Sequence, residues 1–231
     1  MKTEYKYFIP RAISSFILAN LKNFIISDPY SGEGGSYRVS SVYLETLNMT
    51  SYLDKLNGLS KRLKLRVRWY PSGTHLFNTL ELKYKIYDKL VKKRFPVDTN
   101  TLKKILLNDH EQIGKDCSDG IQKFILLKKA NAMYPFIRID YIRRAYVGKV
   151  DKNVRITFDQ DIRCCRYVDF QSLPTIPSLP SRSVIMEIKS HGYFPTWLTY
   201  IIKKYGLQRA AISKYVSSVQ RLAYNSSLLI K

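Results

Sequence analysis

The sequence predicts an α+β fold in which a largely antiparallel sheet closes into a wide barrel with a basic interior, flanked by amphipathic helices. Two observations predict it. Basic residues recur two positions apart in strand-like segments, as at Lys64, Arg66 and Arg68, which alternate with apolar residues. The predicted strands are mostly connected without the long helical crossovers that parallel strands need, and amphipathic helices are interspersed among them.

Eight or so strands are predicted from polar and apolar residues that alternate with a period of two. A turn around Pro71, Ser72 and Gly73 joins two of them into a hairpin. The predicted strands are Glu4–Ile9, Arg38–Glu45, Lys61–Tyr70, Leu76–Tyr87, Leu90–Val97, Phe136–Val147, Arg155–Phe158 and Val184–Lys189.

Helices are predicted where apolar residues recur every three or four positions. Pro10 ends the first strand before one such segment, and Asp119 is the predicted N-cap of another. The segment Ser172–Ser183, with three prolines, is expected to be a surface loop. The predicted helices are Arg11–Ile26, Asn48–Leu56, Thr99–Leu107, Asp119–Met133, Pro195–Tyr205 and Arg209–Leu222.

The charged strand faces favour a barrel over an open sheet. Such faces are solvated either outside an open sheet or inside a wide, water-filled barrel. The barrel leaves the apolar faces outward, where amphipathic helices cover them. Because charged faces recur along the whole chain and helices are interspersed, one domain spanning residues 1–231 is expected.

Composition points to an anionic partner. The 231 residues carry a formal net charge of +21, from 39 Lys and Arg against 18 Asp and Glu. This excess favours nucleic acid, polyphosphate, nucleotides or an acidic membrane surface without choosing among them. Three cysteines give no disulfide framework, and we see no signal peptide or apolar run of about 20 residues. A soluble, cytoplasmic protein is therefore expected.

Common catalytic motifs are not found in the sequence. His75, His110 and His191 are scattered and show no zinc-ligand spacing with cysteine. Gly32–Gly35 is a flexible loop rather than a phosphate-binding glycine motif.

Eight short motifs follow one another along almost the whole chain: Glu4–Tyr7, Lys64–Tyr70, Leu80–Lys83, Val91–Pro96, Tyr141–Tyr146, Arg155–Asp159, Met186–Lys189 and Ser213–Tyr215. In this order they resemble the VTC domain, the catalytic polyphosphate polymerase domain of the vacuolar transporter chaperone complex and its bacterial relatives. That family belongs to the triphosphate tunnel metalloenzymes, within the CYTH-like superfamily.

The resemblance implies an eight-stranded antiparallel tunnel that holds a triphosphate or polyphosphate. It implies transfer of the γ-phosphate of ATP to a growing polyphosphate chain, with Mn²⁺ or Mg²⁺ held at Glu187. Arg66, Arg68, Lys83 and Lys189 would bind the reacting phosphates. The full set of implied phosphate-binding positions is Lys6, Arg66, Arg68, Lys83, Lys92, Arg143, Arg155, Lys189, Ser213 and Lys214.

The chemistry of these residues agrees with the resemblance. Phosphoryl transfer needs positioning and charge neutralisation, which Arg supplies bidentately and Lys as a point charge. Glu187 and Lys189 are two apart, so they share a strand face, and a carboxylate is a suitable ligand for a hard cation. Glu4, Glu81 and Asp159 are candidate helpers.

The sequence departs from the family pattern at the first strand. Tunnel triphosphatases begin with Glu-x-Glu-x-Lys, whereas here Lys2 stands where the first Glu would fall. Loss of one carboxylate favours a polymerase over a triphosphatase or an adenylate cyclase. Arg143 alternates with Tyr141 and Ala145, so its inward orientation rests on the resemblance. Whether Arg144 lines the tunnel or its rim stays open.

Other readings remain open. A tunnel triphosphatase would hydrolyse tripolyphosphate or a nucleoside triphosphate, and a non-catalytic module would only bind polyphosphate or nucleotide. The net charge also allows a nucleic-acid-binding module, although no nucleic acid is expected as partner. Individually, the basic residues could form exposed strand faces or cross-strand ion pairs, and Lys214 could be solvated. Without transmembrane helices, polymer translocation would need a membrane protein encoded separately.

Overall fold

The chain forms a mixed α+β structure dominated by antiparallel strands, as predicted. The structure, a computed structural model, describes residues 2–31, 34–71, 77–87, 89–109, 113, 117–168 and 174–228. The turn predicted at Ser72 and Gly73, together with His75, His110 and the start of the loop at 32–33, lies outside these residues.

Ten strands and six α-helices occur in the described residues. The strands are β1 Lys2–Pro10, β2 Ile25–Ser27, β3 Tyr37–Glu45, β4 Lys61–Trp69, β5 Thr79–Ile86, β6 Lys89–Pro96, β7 Tyr134–Gly148, β8 Arg155–Arg166, β9 Ile176–Pro177 and β10 Ser183–His191. The helices are α1 Arg11–Leu21, α2 Thr50–Leu56, α3 Thr99–Leu106, α4 Asp119–Ala130, α5 Thr196–Lys204 and α6 Lys214–Leu228.

Several predicted boundaries differ from the structure. Helix α1 ends at Leu21, and the next apolar residues form β2, which pairs with β7. Helix α6 begins at Lys214 instead of Arg209, because residues 209–210 run along β1. Strand β8 continues to Arg166, where its far end pairs with β9 inside the proline-containing loop. The N-cap of α4 is Ser118, and Asp119 is its first residue.

The sheet is open, which corrects the prediction of a closed barrel. Its strand order is β1-β10-β8-β7-β3-β4-β5-β6, with β2 and β9 paired at the side. Among the described residues β1 and β6 do not pair, so the two ends of this order are not joined. The second edge of β1 is instead occupied by the segment before α6. Tyr7 forms a β-bridge with Arg209, and the Ala210 amide donates to the Lys6 carbonyl at 2.9 Å.

The chain divides into two compact units, and four strands contain residues of both. The first unit comprises residues 1–38, 141–162 and 177–213, and the second comprises residues 39–140, 163–176 and 214–231. The four strands are β3, β7, β8 and the two-residue β9. A single domain over residues 1–231 stays a prediction.

The core of the first unit lies on the apolar faces of β1, β8 and β10. Alternation puts Tyr7, Met186 and Ile156 on those faces, where they are buried. Helices α1 and α5 cover them through side chains such as Ile17 and Leu198. The charged residues of the same strands therefore lie on the opposite face.

The core of the second unit lies on the apolar faces of β4 and β5, covered by α3 and α4. Leu65 and Leu80 from the strands pack with Ile105 and Phe124 from the helices, and all four side chains are fully buried. As in the first unit, the apolar residues of each strand are buried on one face of the sheet. The charged residues that alternate with them therefore lie on the opposite face.

Candidate phosphate-binding site

Strands β4, β5 and β6 of the second unit present one strongly basic face. Residues that are opposite in register point to the same side of a sheet, and so do residues two apart in one strand. By this register the face carries eight Lys and Arg residues and one carboxylate, that of Glu81. We call this surface the basic face: Arg62, Lys64, Arg66, Arg68, Lys83, Lys85, Lys92 and Arg94.

Three lysines of the basic face stand in one cross-strand row. Lys64 pairs in register with Lys83, and Lys83 with Lys92. Like charges directly opposite in a sheet repel and destabilise it. Burial, followed by the charges of Lys55, Arg62 and Lys83, lowers the pKa of Lys64 to about 8. An anion placed on this lysine row would relieve the repulsion.

Glu81 neutralises the neighbouring arginine row. Its buried carboxylate forms a short ion pair with Arg66, and lies 3.3 Å from Arg68 Nη1 and 3.5 Å from Arg94 Nε. Burial acts to raise the pKa of Glu81, but the surrounding Arg and Lys side chains hold it far below its ordinary value. Arg66 and Arg68, both predicted phosphate-binding residues, are thereby fixed in place.

Tyr43 and Tyr215 add an aromatic contact to the basic face that the sequence did not predict. The Tyr43 hydroxyl accepts a hydrogen bond from Arg66 at 2.7 Å, and its ring stacks on Tyr215 at 5.0 Å between centroids. Burial would raise the pKa of Tyr43, yet Arg66, Arg68 and Lys214 together lower it. Lys214, predicted from the Ser213–Tyr215 motif, thus lies close enough to influence Tyr43.

Glu45 anchors the N-terminal end of α6. Its buried carboxylate accepts backbone hydrogen bonds from Thr46, Ser51 and Tyr52, at 2.9, 2.9 and 3.0 Å, and a short one from the Tyr215 hydroxyl. Burial and this hydrogen bond raise the pKa of Tyr215 well above its ordinary value. Lys64 Nζ lies over the same Tyr215 ring, 5.0 Å from its centroid, in a cation–π contact.

The first unit carries a second surface, which we call the mixed-charge face. It lies on β1, β10, β8 and the C-terminal part of β7. In register, Glu4 is opposite Lys189, and Lys6 is opposite Glu187. Lys189 forms a short ion pair with Glu187 and lies 3.8 Å from Glu4, which is itself 3.4 Å from Lys6. The predicted metal ligand is therefore brought together with two predicted phosphate-binding lysines.

Arg143 belongs to the mixed-charge face, which resolves its orientation. Its guanidinium makes a bidentate pair with the buried Asp159, through Nε at 2.6 Å and Nη2 at 2.7 Å. Burial acts against the charge, but Asp159, Tyr141 and Glu187 raise the pKa of Arg143 well above its ordinary value. Asp159 shares the β8 face with Thr157 and Arg155, so Arg143 points to that face through its pair with Asp159. Its role in phosphate binding stays a prediction.

Arg155 and Ser213 complete the predicted residues of the first unit. Arg155 Nη2 pairs with the buried Asp28 at 2.9 Å and stands opposite Lys189. Ser213 is half-buried, next to Ile212, whose carbonyl accepts from Lys6 Nζ at 3.5 Å. Asp28 was missed because it lies in a loop with no strand period to give its direction.

No group of three or more His, Cys, Asp or Glu that could hold a metal ion occurs in the part of the chain that the structure describes. Nor does any helix there have the length and apolarity to cross a membrane. Glu187, the predicted metal ligand, and Glu4 both pair with Lys189.

The order of motifs, the fold and these two faces agree with the family comparison. A family model of the VTC domain matches residues 1–223. The chain belongs to the VTC domain family. The match includes every predicted site residue of this VTC domain and both charged faces.

Two known proteins illustrate the likeness. Subunit 4 of the vacuolar transporter chaperone complex from Schizosaccharomyces pombe is 23% identical over 273 residues, covering 99% of this chain but 36% of its own length. The chain thus spans about a third of that relative. A crystal structure of a putative adenylate cyclase from Bacillus halodurans superposes with a TM-score of 0.55 at 12% identity, covering 92% of this chain and 94% of that one. This second likeness supports the fold alone.

Proposed function

We propose that this VTC domain is an ATP-dependent polyphosphate polymerase, which transfers the γ-phosphate of ATP to a growing polyphosphate chain. The observation that carries the proposal is the lysine row of Lys64, Lys83 and Lys92 beside an arginine row that Glu81 holds in place. A row of like charges in register is costly unless a polyanion lies along it. Polyphosphate has the required repeating negative charge, and the family relationship favours it over other polyanions.

The residues suit phosphoryl transfer, which relies on positioning and on neutralising the charge of the transferred group. Arg66 and Arg68 offer forked donors for phosphate oxygens, whereas Lys83 and Lys189 supply mobile point charges. Lys6, Lys92, Arg143, Arg155, Ser213 and Lys214 would bind further phosphates. Tyr43 would hold Arg66 in orientation through its hydroxyl.

A divalent metal fits the mixed-charge face with Glu187 as its protein ligand. The carboxylate is a hard oxygen donor beside Lys189, and Mg²⁺-type sites commonly combine one or two carboxylates with substrate phosphates and water. Such an ion, Mn²⁺ or Mg²⁺, would supply positive charge that neutralises the phosphates. Glu4 is the second candidate carboxylate, because it pairs with the same lysine.

The test is product analysis after incubation of the purified protein with ATP and Mn²⁺ or Mg²⁺. The proposal predicts ADP together with long-chain polyphosphate. Substituting Lys83→Met and Lys92→Met together should reduce chain formation at least tenfold, because two positive charges of the row are lost. Lys129→Met, an exposed lysine on α4, is the matched control and should retain activity.

The same assay separates the rival functions. Orthophosphate released from tripolyphosphate without chain growth would indicate a triphosphatase. Tight binding of tripolyphosphate without any ATP consumption would indicate a binding module. Either result, obtained with folded protein and both metals, would contradict the polymerase proposal.

A further inference from the structure

Strand β8 carries two buried hydrogen-bond donors without a partner among the described residues. They are the Arg155 Nε–H and the Thr157 hydroxyl. Thr157 as a whole is only 5% exposed. Buried polar groups in folded proteins are nearly always paired, so two such groups two residues apart call for an explanation.

Both donors lie on the mixed-charge face. Residues 155 and 157 are two apart on one strand, so their side chains point to the same side. In register, Arg155 is opposite Lys189 and Thr157 is opposite Glu187. The donors therefore sit directly beside the residues assigned to phosphate and metal binding, and not in the apolar core on the other side of the strand.

Asp28 explains why the Arg155 Nε points away from a protein partner. The Asp28 carboxylate holds Nη2 of Arg155 at 2.9 Å, and it is itself fixed by the Tyr30 amide at 3.1 Å. One end of the guanidinium is thus occupied, while the Nε–H is left to a different acceptor. Asp28 is 6% exposed, so the carboxylate that holds Arg155 is buried.

The chemistry of the two groups defines the missing ligand. An arginine Nε–H can only donate and carries positive charge, so its partner must be an acceptor and is preferably an anion. A hydroxyl can donate to the same anion. Arg155 is already assigned to phosphate binding under the proposed function. We propose that the Thr157 hydroxyl is a second donor to the phosphate group at Arg155, so that the two residues form one subsite, and that Asp28 orients Arg155. The subsite rests on the proposed function for its ligand class, a phosphate chain.

The proposal predicts opposite effects on stability and binding for one substitution. Thr157→Val keeps the shape of the side chain and removes a buried hydroxyl that lacks a partner, so the ligand-free protein should melt at the same or a higher temperature. Loss of a hydrogen bond to a charged ligand should weaken tripolyphosphate binding about tenfold. Thr157→Ser keeps the hydroxyl and should bind within about threefold of the unsubstituted protein.

Calorimetric titration with tripolyphosphate, in the absence of ATP, and thermal melts of each variant provide the test. Thr199→Val, a half-buried threonine on α5, is the matched control and should leave affinity unchanged. Asp28→Asn should also weaken binding, because Arg155 loses the charge that orients it. If Thr157→Val instead lowers the melting temperature without the expected loss of affinity, the hydroxyl is structural and the subsite is overturned.

These measurements distinguish a failure of the subsite proposal from a failure of the polymerase proposal. A protein that binds tripolyphosphate with the expected variant pattern but makes no polymer would contradict the polymerase proposal and support the subsite. A protein that makes polymer normally with Thr157→Val, and binds as well as before, would contradict only the subsite. Absence of tripolyphosphate binding in the unsubstituted protein would overturn the subsite as well.

Discussion

Glu81 is the carboxylate on which the basic face of the second unit depends. It contacts Arg66, Arg68 and Arg94, and Arg68 is only 4% exposed. Removing one partner of a buried ion pair leaves an uncompensated charge, which typically costs about 3 kcal/mol or more. We expect Glu81→Gln to lower the free energy of unfolding by about 3 kcal/mol at pH 7, measured by urea unfolding.

The pH dependence of unfolding gives an independent check on Glu81. Its pKa in the folded protein is depressed, so its stabilisation is present above the unfolded-state pKa of about 4.3 and is lost as pH falls below that value. The Glu81→Gln variant should therefore lose less unfolding free energy between pH 5 and pH 3 than the unsubstituted protein. Glu4→Gln, whose carboxylate is 40% exposed, is the control, and an equal effect of both substitutions would refute the role of Glu81.

The lowered pKa of Lys64 predicts that tripolyphosphate binding depends on pH in the alkaline range. Its pKa of about 8 lies below the unfolded-state value, so the unfolded protein binds more protons between about pH 8 and 10.5 and this group makes stability rise with pH there. A bound polyanion favours the charged amine, so binding takes up a proton. We expect tripolyphosphate affinity to fall from pH 7.5 to 9.5, and less steeply in Lys64→Arg, by calorimetry. If affinity falls equally steeply with pH in the unsubstituted protein and in Lys64→Arg, the titration of Lys64 does not control binding.

The site residues could be predicted from the sequence where strand alternation decides which face of the sheet they occupy. Arg66, Arg68 and Lys83 fall on one face because their apolar neighbours are buried on the other. Tyr43 and Glu45 were missed, because Tyr43 looks like one more core aromatic and Glu45 like a solvated strand end. Their roles come from α6, which is more than 160 residues away in the chain: the Tyr215 contact to Glu45 spans 170 positions.

At the scale of elements, the contact between α6 and Glu45 fixes the start of that helix, where Lys214 lies and where the Tyr215 ring contacts Lys64. Tyr215→Phe removes the hydroxyl that donates to Glu45 while keeping the ring on Tyr43. We expect a loss of about 1 to 3 kcal/mol in unfolding free energy, because a buried carboxylate loses one donor. Urea unfolding measures it.

Tyr224→Phe supplies the control for this prediction on the same helix. Its side chain is 58% exposed, so loss of the hydroxyl should change stability by less than about 0.5 kcal/mol. Equal effects of the two substitutions would show that Glu45 does not depend on Tyr215.

Element boundaries were less predictable than element types. The apolar pattern after Leu21 continues at helical spacing, yet residues 25–27 pair with β7 because a neighbouring strand offers backbone partners there. Residues 209–210 likewise run along β1 before α6 begins. Local sequence does not show such long-range pairing, and for the same reason it led to the prediction of a closed barrel where the sheet is open.

At the scale of the whole molecule, the net charge of +21 makes anion binding a source of stability. A ligand that binds only the folded state stabilises it by about 2.7 kcal/mol at a concentration 100 times its dissociation constant. We expect tripolyphosphate to raise the melting temperature more than sodium chloride of equal ionic strength, in differential scanning calorimetry. Equal shifts would indicate screening of repulsion without a specific site.

The central claim is that a phosphate chain lies along the lysine row, and amine labelling measures this directly. The protein is treated with an amine-reactive reagent, with and without stoichiometric polyphosphate, and each lysine is quantified by mass spectrometry. The account predicts that polyphosphate protects Lys64, Lys83 and Lys92, while Lys123 and Lys129 on α4 react as before. Equal protection of all five, or protection of none, would contradict it.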